Sequence, residues 1–498
     1  MDVLLIAPPH YYGSKTRVPT YLPLGLAYAA ARVRQEGHRV AVLDAWAHQL
    51  TRREVRERLQ GMSWDVAGIT ALSTQYPYVK WLATELKRLR RAPVILGGAL
   101  ASFSPDLVLR ATDVDVCVVR EGEETFVELL SRLGQPERVQ GIWYRTQGEV
   151  HKNHARESIE DLDALPFPAR DLFPQEIYLR HASLDPGRAT RRVINVVTSR
   201  GCPYGCRYCS KVMKGSRLRS VDSVVEEIRL LMADYQVGGV AFNDELVTVS
   251  KERAYELCEK IRPLGIEWQC QGRVDVVDYP LLREMRKAGC VCIGFGIESG
   301  SQDLLDAMKK GVTVEQSVAA INAAMRAGLH PQVQMMFGYP GENRQTLDET
   351  VAFAAHLHAY RYRPSLFITT PLPGAPLYRE ARRSGLIPDE EAFLESLEAG
   401  HDPDGPVLVN MTELSDEEFL PLKAETEARI GATLHRRLVS NPISVGRYAL
   451  HRLRRDGFGG VLRAWHARVW PWAGTEERFD ESANEDAPAD GAGPAPGQ

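Results

Sequence analysis

Cys202, Cys206 and Cys209 stand close together in the stretch TSRGCPYGCRYCS, spaced C-x3-C-x2-C, in a chain of 498 residues with 8 cysteines in all. A structural zinc site wants four protein ligands, usually supplied as two separated CxxC pairs, and no second pair of that kind accompanies these three. Thiols gathered only for packing are the bland alternative. A four-iron cluster normally takes four thiolates, so three cysteines leave one iron open to a ligand from outside the chain. The spacing therefore predicts an iron–sulfur centre that binds a small molecule directly on metal.

Such a centre needs a scaffold, and the loop follows a β-branched run at Val193–Thr198. Similar runs recur at Gly239–Phe242, Ile266–Gln269, Cys292–Ile297, Gln332–Phe337 and Leu366–Thr370, separated by helical patterns such as Ser223–Tyr235 and Ala254–Arg262. Six βα units predict a partial (β/α)6 barrel over residues 191–390. Ahead of it, residues 1–137 alternate strands at Val3–Ala7, Val40–Asp44, Val66–Leu72, Val94–Leu96 and Val116–Val119 with helices at Leu24–Glu36, Arg52–Leu59, Val79–Arg90 and Glu123–Leu133. That rhythm predicts an α/β, doubly wound, Rossmann-like domain with its ligand beyond the carboxyl ends of the strands. Residues 138–190, a hairpin in GIWYRTQGEV and the proline-rich DLDALPFPARDLFP, read as a connector. Residues 391–473 read as a helical C-terminal region, and the acidic tail 474–498 is expected to be disordered.

The segment GCPYGCRYC resembles the signature of the radical S-adenosylmethionine (radical SAM) superfamily, with Tyr208 as the aromatic before the third cysteine. The resemblance implies a [4Fe-4S] cluster on Cys202, Cys206 and Cys209 whose open iron chelates SAM. It also implies reductive cleavage of SAM to a 5′-deoxyadenosyl radical, with an external electron donor of flavodoxin or ferredoxin type. Further stretches are similar to the superfamily's SAM-binding motifs. FNDEL offers Asp244 or Glu245 for the methionine amine, and Arg273 in QCQGRVD has the bidentate geometry to pair with the SAM carboxylate. FGIESGS places Glu298 and Ser299 toward the ribose, and MMFGYPGEN places Gly338 toward the adenine. Cys270, beside the presumed SAM arginine, is an active-site candidate, whereas Cys117, Cys258, Cys290 and Cys292 read as buried structural thiols.

In the first domain no G-x-G-x-x-G follows the first strand, which disfavours a dinucleotide. Instead GITALSTQY, LGGALAS and VVREGEE put small and hydroxylic residues at successive strand ends, where glycine lets a flat, bulky group approach the backbone. These stretches resemble a cobalamin-binding domain, implying a tail held between strands and a corrin over their ends. Thr70, Leu72, Ser73, Gly97, Gly98 and Ser102 would line that pocket, with Glu121 and Gly122 at its rim. The D-x-H-x-x-G motif of many such domains is absent, so His10 reads as a loop residue rather than a cobalt ligand.

A formal net charge of -4, 44% hydrophobic and 25% charged residues suggest an ordinary globular protein with no nucleic-acid partner. No run approaches the roughly twenty apolar residues of a transmembrane segment, and MDVLLIAPPH reads as a buried strand, so a cytoplasmic location is expected. The two resemblances together point to the cobalamin-dependent radical SAM enzymes. They imply C-methylation of an unactivated carbon in a small-molecule biosynthetic intermediate, through the 5′-deoxyadenosyl radical and methylcobalamin. An sp3 carbon is not a nucleophile, which is why polar attack on the SAM methyl group would fail. The alternatives are a cyclase or rearrangement enzyme resembling the anaerobic magnesium-protoporphyrin ester cyclases, and a non-catalytic cobalamin or cluster sensor. Thr433–Trp472 reads as a solvated amphipathic helix.

Overall fold

The computed structural model describes residues 1–9, 11–12, 15–16, 19–184, 192–213, 215–357, 365–400 and 407–439; His10, most of the segment 433–472 and the acidic tail lie outside the described residues. Its first strand, β1 (Asp2–Ala7), explains why VLLIA shows no polar alternation. Val3, Leu5 and Ala7 enter one apolar core and Leu4 and Ile6 another, so the strand is buried on both faces.

The chain then runs through α1 (Leu24–Gln35), β2 (Arg39–Asp44), α2 (Arg52–Gln60), β3 (Val66–Thr70), α3 (Tyr76–Leu89), β4 (Val94–Gly97), α4 (Gly98–Phe103), α5 (Pro105–Ala111), β5 (Val116–Val118) and α6 (Glu123–Ser131). The parallel strands lie in the order β2-β1-β3-β4-β5. Helices α1 and α6 cover one face, and α2, α3, α4 and α5 the other. The order reverses between β1 and β3, and a crevice at the carboxyl ends of such strands is where this architecture receives a ligand.

Two sequence expectations change here. The hairpin β6 (Ile142–Thr146) and β7 (Glu149–Lys152) extends the first sheet instead of standing in the connector: β6 pairs antiparallel with β5, Val116 opposite Tyr144. It covers what would otherwise be an open strand edge. The segment after β4, for which the sequence pattern predicts no helix, forms the short helices α4 and α5, with Pro105 starting the second.

The later part of the connector is tied both to the first sheet and to the elements that follow it. Helix α7 (Gln175–His181) carries Tyr178, whose hydroxyl donates to Asp44 at 2.6 Å at the end of β2. Arg170 pairs with Glu227 at 2.9 Å, and Glu227 is shared with Arg219 at 2.5 Å, all three buried.

The second sheet is built from β8 (Val193–Val196), α8 (Val221–Tyr235), β9 (Gly239–Phe242), α9 (Lys251–Ile261), β10 (Glu267–Gly272), α10 (Tyr279–Lys287), β11 (Cys290–Glu298), α11 (Gln302–Ala307), α12 (Val314–Ala327), β12 (His330–Phe337), α13 (Arg344–Ala355) and β13 (Ser365–Ile368). Its six strands are parallel and in chain order, an open (β/α)6 barrel with β8 and β13 at its edges. In β12, Val333, Met335 and Phe337 are buried toward the helices while Gln332 and Gln334 take the opposite face, the period of two that a half-covered strand requires.

After α14 (Pro376–Arg383), α15 (Glu390–Gly400) returns to the first domain, where Glu391 accepts from Lys80 at 2.7 Å and from Tyr76 at 2.8 Å. Helix α16 (Asp416–Val439) packs on α13, with Arg429 paired to Asp348 at 2.7 Å.

Candidate active site at the facing strand ends

The cysteine loop leaves β8 through a small ribbon, Ser199–Arg200 antiparallel to Arg217–Leu218. Gly201 sits at φ +83°, and a Cβ there would lie 2.5 Å from the carbonyl oxygen of Gly215, so no side chain fits. Cys202, Cys206 and Cys209 follow, half-buried and free of disulfides. Among the described residues no three His, Cys, Asp or Glu side chains converge on a single-ion site. A multi-iron cluster does not ask for that, since each thiolate binds a different iron. Burial pushes the Cys209 thiol up, Lys211 pulls it down, and Cys206 and Cys202 are close enough to raise it again. The loop's backbone is bonded on both sides: Arg207 N–H donates to the Met308 carbonyl at 3.0 Å and accepts at its own carbonyl from Leu377 N–H at 2.9 Å.

The structure separates two carboxylates that adjacency in the sequence left equivalent. Asp244 is buried and accepts from the Thr198 N–H at 2.9 Å, the Thr198 hydroxyl at 2.9 Å and the Ser199 hydroxyl at 2.5 Å. Burial raises its pKa although these donors oppose the shift. Its oxygens are spent on locking the start of the cysteine loop. Glu245 is exposed, receives a weaker bond from Gly201 N–H at 3.3 Å, and lines the cavity described below.

Arg273 is buried and already engaged. Its Nε lies 2.8 Å from Asp275 Oδ1, and Nη2 donates to the Lys310 carbonyl at 2.5 Å. Its guanidinium carbon stands 3.6 Å from the ring centre of Tyr204 in the cysteine loop. Glu298, the last residue of β11, adopts φ +69°, a left-handed conformation costly for a side chain of its kind. It accepts from the Tyr208 hydroxyl at 2.8 Å and from Lys310 at 2.7 Å, and Lys310 also reaches the Tyr208 oxygen at 2.9 Å. Burial, with Glu298 beside it, raises the Tyr208 pKa and keeps the phenol protonated.

Lys310 completes this triad, yet sequence reasoning missed it. It lies in a turn after α11, and no motif marks it. Ser299 is buried against Thr350, their hydroxyls 3.3 Å apart. Gly338, at φ +86°, gives its space to Phe419 of α16, 2.4 Å from where a Cβ would stand, and donates its N–H to Glu342 at 2.5 Å. Cys270, the other candidate, faces the helix shell in the same apolar core as Cys258 and Cys290, because alternation along β10 turns it away from the lumen.

Across from this network, Thr70, Gly97, Gly98, Glu121 and Gly122 line a cavity of about 310 Å³ together with Ser199, Arg200, Asn243 and Glu245. Its inner end is an apolar slot between the first sheet and helices α1 and α6, walled by Leu5, Leu24, Ile95 and Phe126. Gly98 is required where it stands: at φ +87° a Cβ would come within 2.7 Å of the Ala71 carbonyl oxygen.

Leu72, Ser73 and Ser102 are placed differently. Leu72 is 48% exposed outside that lining. Ser73 is buried in the turn under α15. Ser102, in α4, donates back to the Gly98 carbonyl at 2.8 Å. Glu121 is a hub at the rim, pairing with Arg200 at 2.7 Å and Arg217 at 2.8 Å, while Arg200 also holds Glu123 at 2.6 Å. Burial pushes the Glu121 carboxyl up, but the two arginines outweigh it and leave it below the usual range. The residue two places before Cys202 is thereby bolted to the first domain.

These residues fit the groups that the sequence implies. An apolar slot opening onto glycine-lined strand ends suits a heterocyclic tail and a flat ring, and a three-thiol loop without a fourth suits a cluster with an open iron. Comparison with known proteins agrees. Residues 196–354 match the radical SAM superfamily and residues 15–130 the B12 binding domain. An uncharacterized methyltransferase of Pyrococcus horikoshii is 33% identical over 399 residues, which is 78% of this chain and 84% of the relative. The anaerobic magnesium-protoporphyrin IX monomethyl ester cyclase of Rubrivivax gelatinosus is 30% identical over 396 residues, covering 76% of this chain and 70% of its own. The radical SAM methyltransferase TsrM from Kitasatospora setae, solved with cobalamin and a [4Fe-4S] cluster bound, shares the fold at a TM-score of 0.63 and 20% identity, covering 78% of each chain. Among the described residues no helix is long and apolar enough to cross a membrane. The chain belongs to the cobalamin-dependent radical SAM enzymes, with a [4Fe-4S] cluster, S-adenosylmethionine and cobalamin as its cofactors.

Proposed function

We propose that the protein is a C-methyltransferase acting on an unactivated carbon of a small-molecule biosynthetic intermediate. One observation carries this reading: a single cavity is walled by the strand ends of the B12 domain on one side and by the root of the cysteine loop and Glu245 on the other. That arrangement supports two cofactors facing a common space. When bound, they supply a 5′-deoxyadenosyl radical to take a substrate hydrogen and a cobalt-borne methyl group to replace it.

The chain's own residues prepare the space. Cys202, Cys206 and Cys209 hold the cluster with one iron open, and exposed Glu245 receives the methionine ammonium while Asp244 keeps the loop's entry rigid. Lys310 and Glu298 position Tyr208 beside the third cysteine, and the ribose is read from the same strand end, with Ser299 and Thr350 behind it. Arg273 steadies Tyr204, and the N–H groups that its bonds to Asp275 and Lys310 leave over would pair with the SAM carboxylate. A flavodoxin- or ferredoxin-type protein of the cytoplasm supplies the electron.

The likeness to the Rubrivivax cyclase favours ring closure as the second reading. Anaerobic reconstitution with iron, sulfide and cobalamin, reduction, and mass analysis of the SAM products over candidate small molecules separates the two. S-adenosylhomocysteine together with 5′-deoxyadenosine is the expected result. Deoxyadenosine alone, with substrate consumed, would favour the cyclase, and bound cofactors without SAM cleavage would leave only a sensor.

A further inference from the structure

We propose that Arg120 anchors the phosphodiester of bound cobalamin. The residue follows β5 and precedes Glu121 and Gly122, at the mouth of the apolar slot. It lines both the cavity of about 310 Å³ and a second of about 720 Å³ between α4, α5 and the hairpin.

Its backbone is held at φ +71°, a conformation that side-chain-bearing residues rarely adopt. Helix α4 holds it there: Arg120 N–H donates to Ser102 Oγ at 2.9 Å, and the Ser102 hydroxyl donates to the Gly98 carbonyl at 2.8 Å. The loop that places the glycines beside the slot therefore also aims the arginine.

Charge accounting supplies the second argument. The charged residues lining the first cavity are Arg120, Glu121, Glu123, Arg200 and Glu245. Arg200 is neutralised by Glu121 and Glu123, and Glu121 is further bound by Arg217. Among the described residues the Arg120 guanidinium has no hydrogen bond or ion pair, which leaves one unpaired cation on the B12-domain wall, while Glu245 on the barrel wall accepts from the Gly201 N–H. Cobalamin's side arms are neutral amides, apart from the phosphodiester in the loop that leads to its dimethylbenzimidazole tail. That is the one anion the cofactor brings to the mouth of a slot that takes the tail, and a guanidinium matches its oxygens in a bidentate fork.

The inference rests on the reading of these strand ends as the corrin seat, and the test distinguishes the two. Affinities of the full chain for hydroxocobalamin and for cobinamide, which lacks the phosphodiester and the tail, are measured by absorbance titration for the wild type, Arg120→Gln and Arg120→Gly. Arg120→Gln is expected to weaken cobalamin about 10- to 100-fold, the range for a charge-assisted bond, and to leave cobinamide unchanged. Arg120→Gly, which relaxes the backbone, should bind cobalamin as poorly while melting no lower than wild type, so lost affinity is not misfolding. Equal weakening of both corrinoids, or of neither, overturns the phosphodiester role; the latter is also the outcome if Arg120 serves an anionic substrate. A Gly98→Ala chain that binds cobalamin and cobinamide as tightly as the wild type would instead overturn the corrin seat.

Discussion

At the ends of β3 and β4 the chain leaves side chains out, with Gly97 and Gly98 beside Thr70, whereas at the ends of β8 through β11 it crowds them together. There Asp244 takes three donors within two residues, and Glu298 shares an oxygen between a phenol and an ammonium. A large, mostly neutral macrocycle is admitted by shape, which absent side chains provide. A small charged cofactor on a reactive cluster needs groups held in place beforehand, which partners provide. One wall should fail on gaining a methyl group, the other on losing a polar atom.

The largest effects come from breaking each wall separately. Cys206→Ala is expected to abolish SAM cleavage and strip most of the iron, yet retain cobalamin. Gly98→Ala adds a Cβ 2.7 Å from the Ala71 carbonyl oxygen at φ +87°. It should lose cobalamin and at least about 2 kcal/mol of stability, yet keep its iron. Metal analysis and absorbance of the two variants check this. Loss of both cofactors from either variant would show that the Glu121–Arg200 bridge makes the walls one cooperative unit.

What was legible in the sequence follows the same division. The cysteine spacing is local, and so are the glycines after β4, so both could be found without knowing where the strands lie. Strand ends were legible where a β-branched run stops at the loop, as Gly239–Phe242 does, although β8 ends at Val196, two residues short of the Thr198 that the sequence predicted. Partnership over distance was not. Lys310 reaches back across 12 residues to Glu298 from an unmarked turn. Asp244 and Glu245 differ only in which way the chain turns after β9, and Ser102 bonds back to Gly98 because residues 98–103 coil into a helix. The hairpin at 142–152 was recognised as a hairpin, but its place on the edge of β5 is a long-range pairing that no local pattern encodes.

A smaller effect sharpens the contrast inside the barrel wall. Asp244→Asn turns an acceptor-only group into one whose NH2 confronts the donors of Thr198 and Ser199, and should cost about 1 to 3 kcal/mol with loss of cluster retention. Glu245→Gln, one residue on, should leave stability within about 0.5 kcal/mol. It should raise the SAM dissociation constant about tenfold, as loss of one charge-assisted contact does. Denaturation under anaerobic conditions and SAM titration read the two variants. Equal effects on stability would mean that burial does not divide the pair.

The last effect is confined to stability and concerns Glu342, whose buried carboxyl closes the turn after β12 on the Gly338 N–H. Burial raises its pKa from 4.5 to about 7, against the pull of that hydrogen bond. Below the unfolded value both folded and unfolded chains hold the proton, and ionisation costs nothing. Between 4.5 and about 7 the unfolded chain releases it while the folded chain keeps it, so stability falls as pH rises, and the full cost is present above about 7. A shift of this size corresponds to about 3 kcal/mol. Glu342→Gln keeps an acceptor for Gly338 and cannot ionise, so it should be more stable than wild type at pH 8 by about that amount and nearly equal at pH 4.5. Denaturant titrations at the two pH values check it. A difference independent of pH would mean that Glu342 ionises in the fold as freely as in the open chain, and that this part of the barrel is wetter than its packing against Phe419 implies.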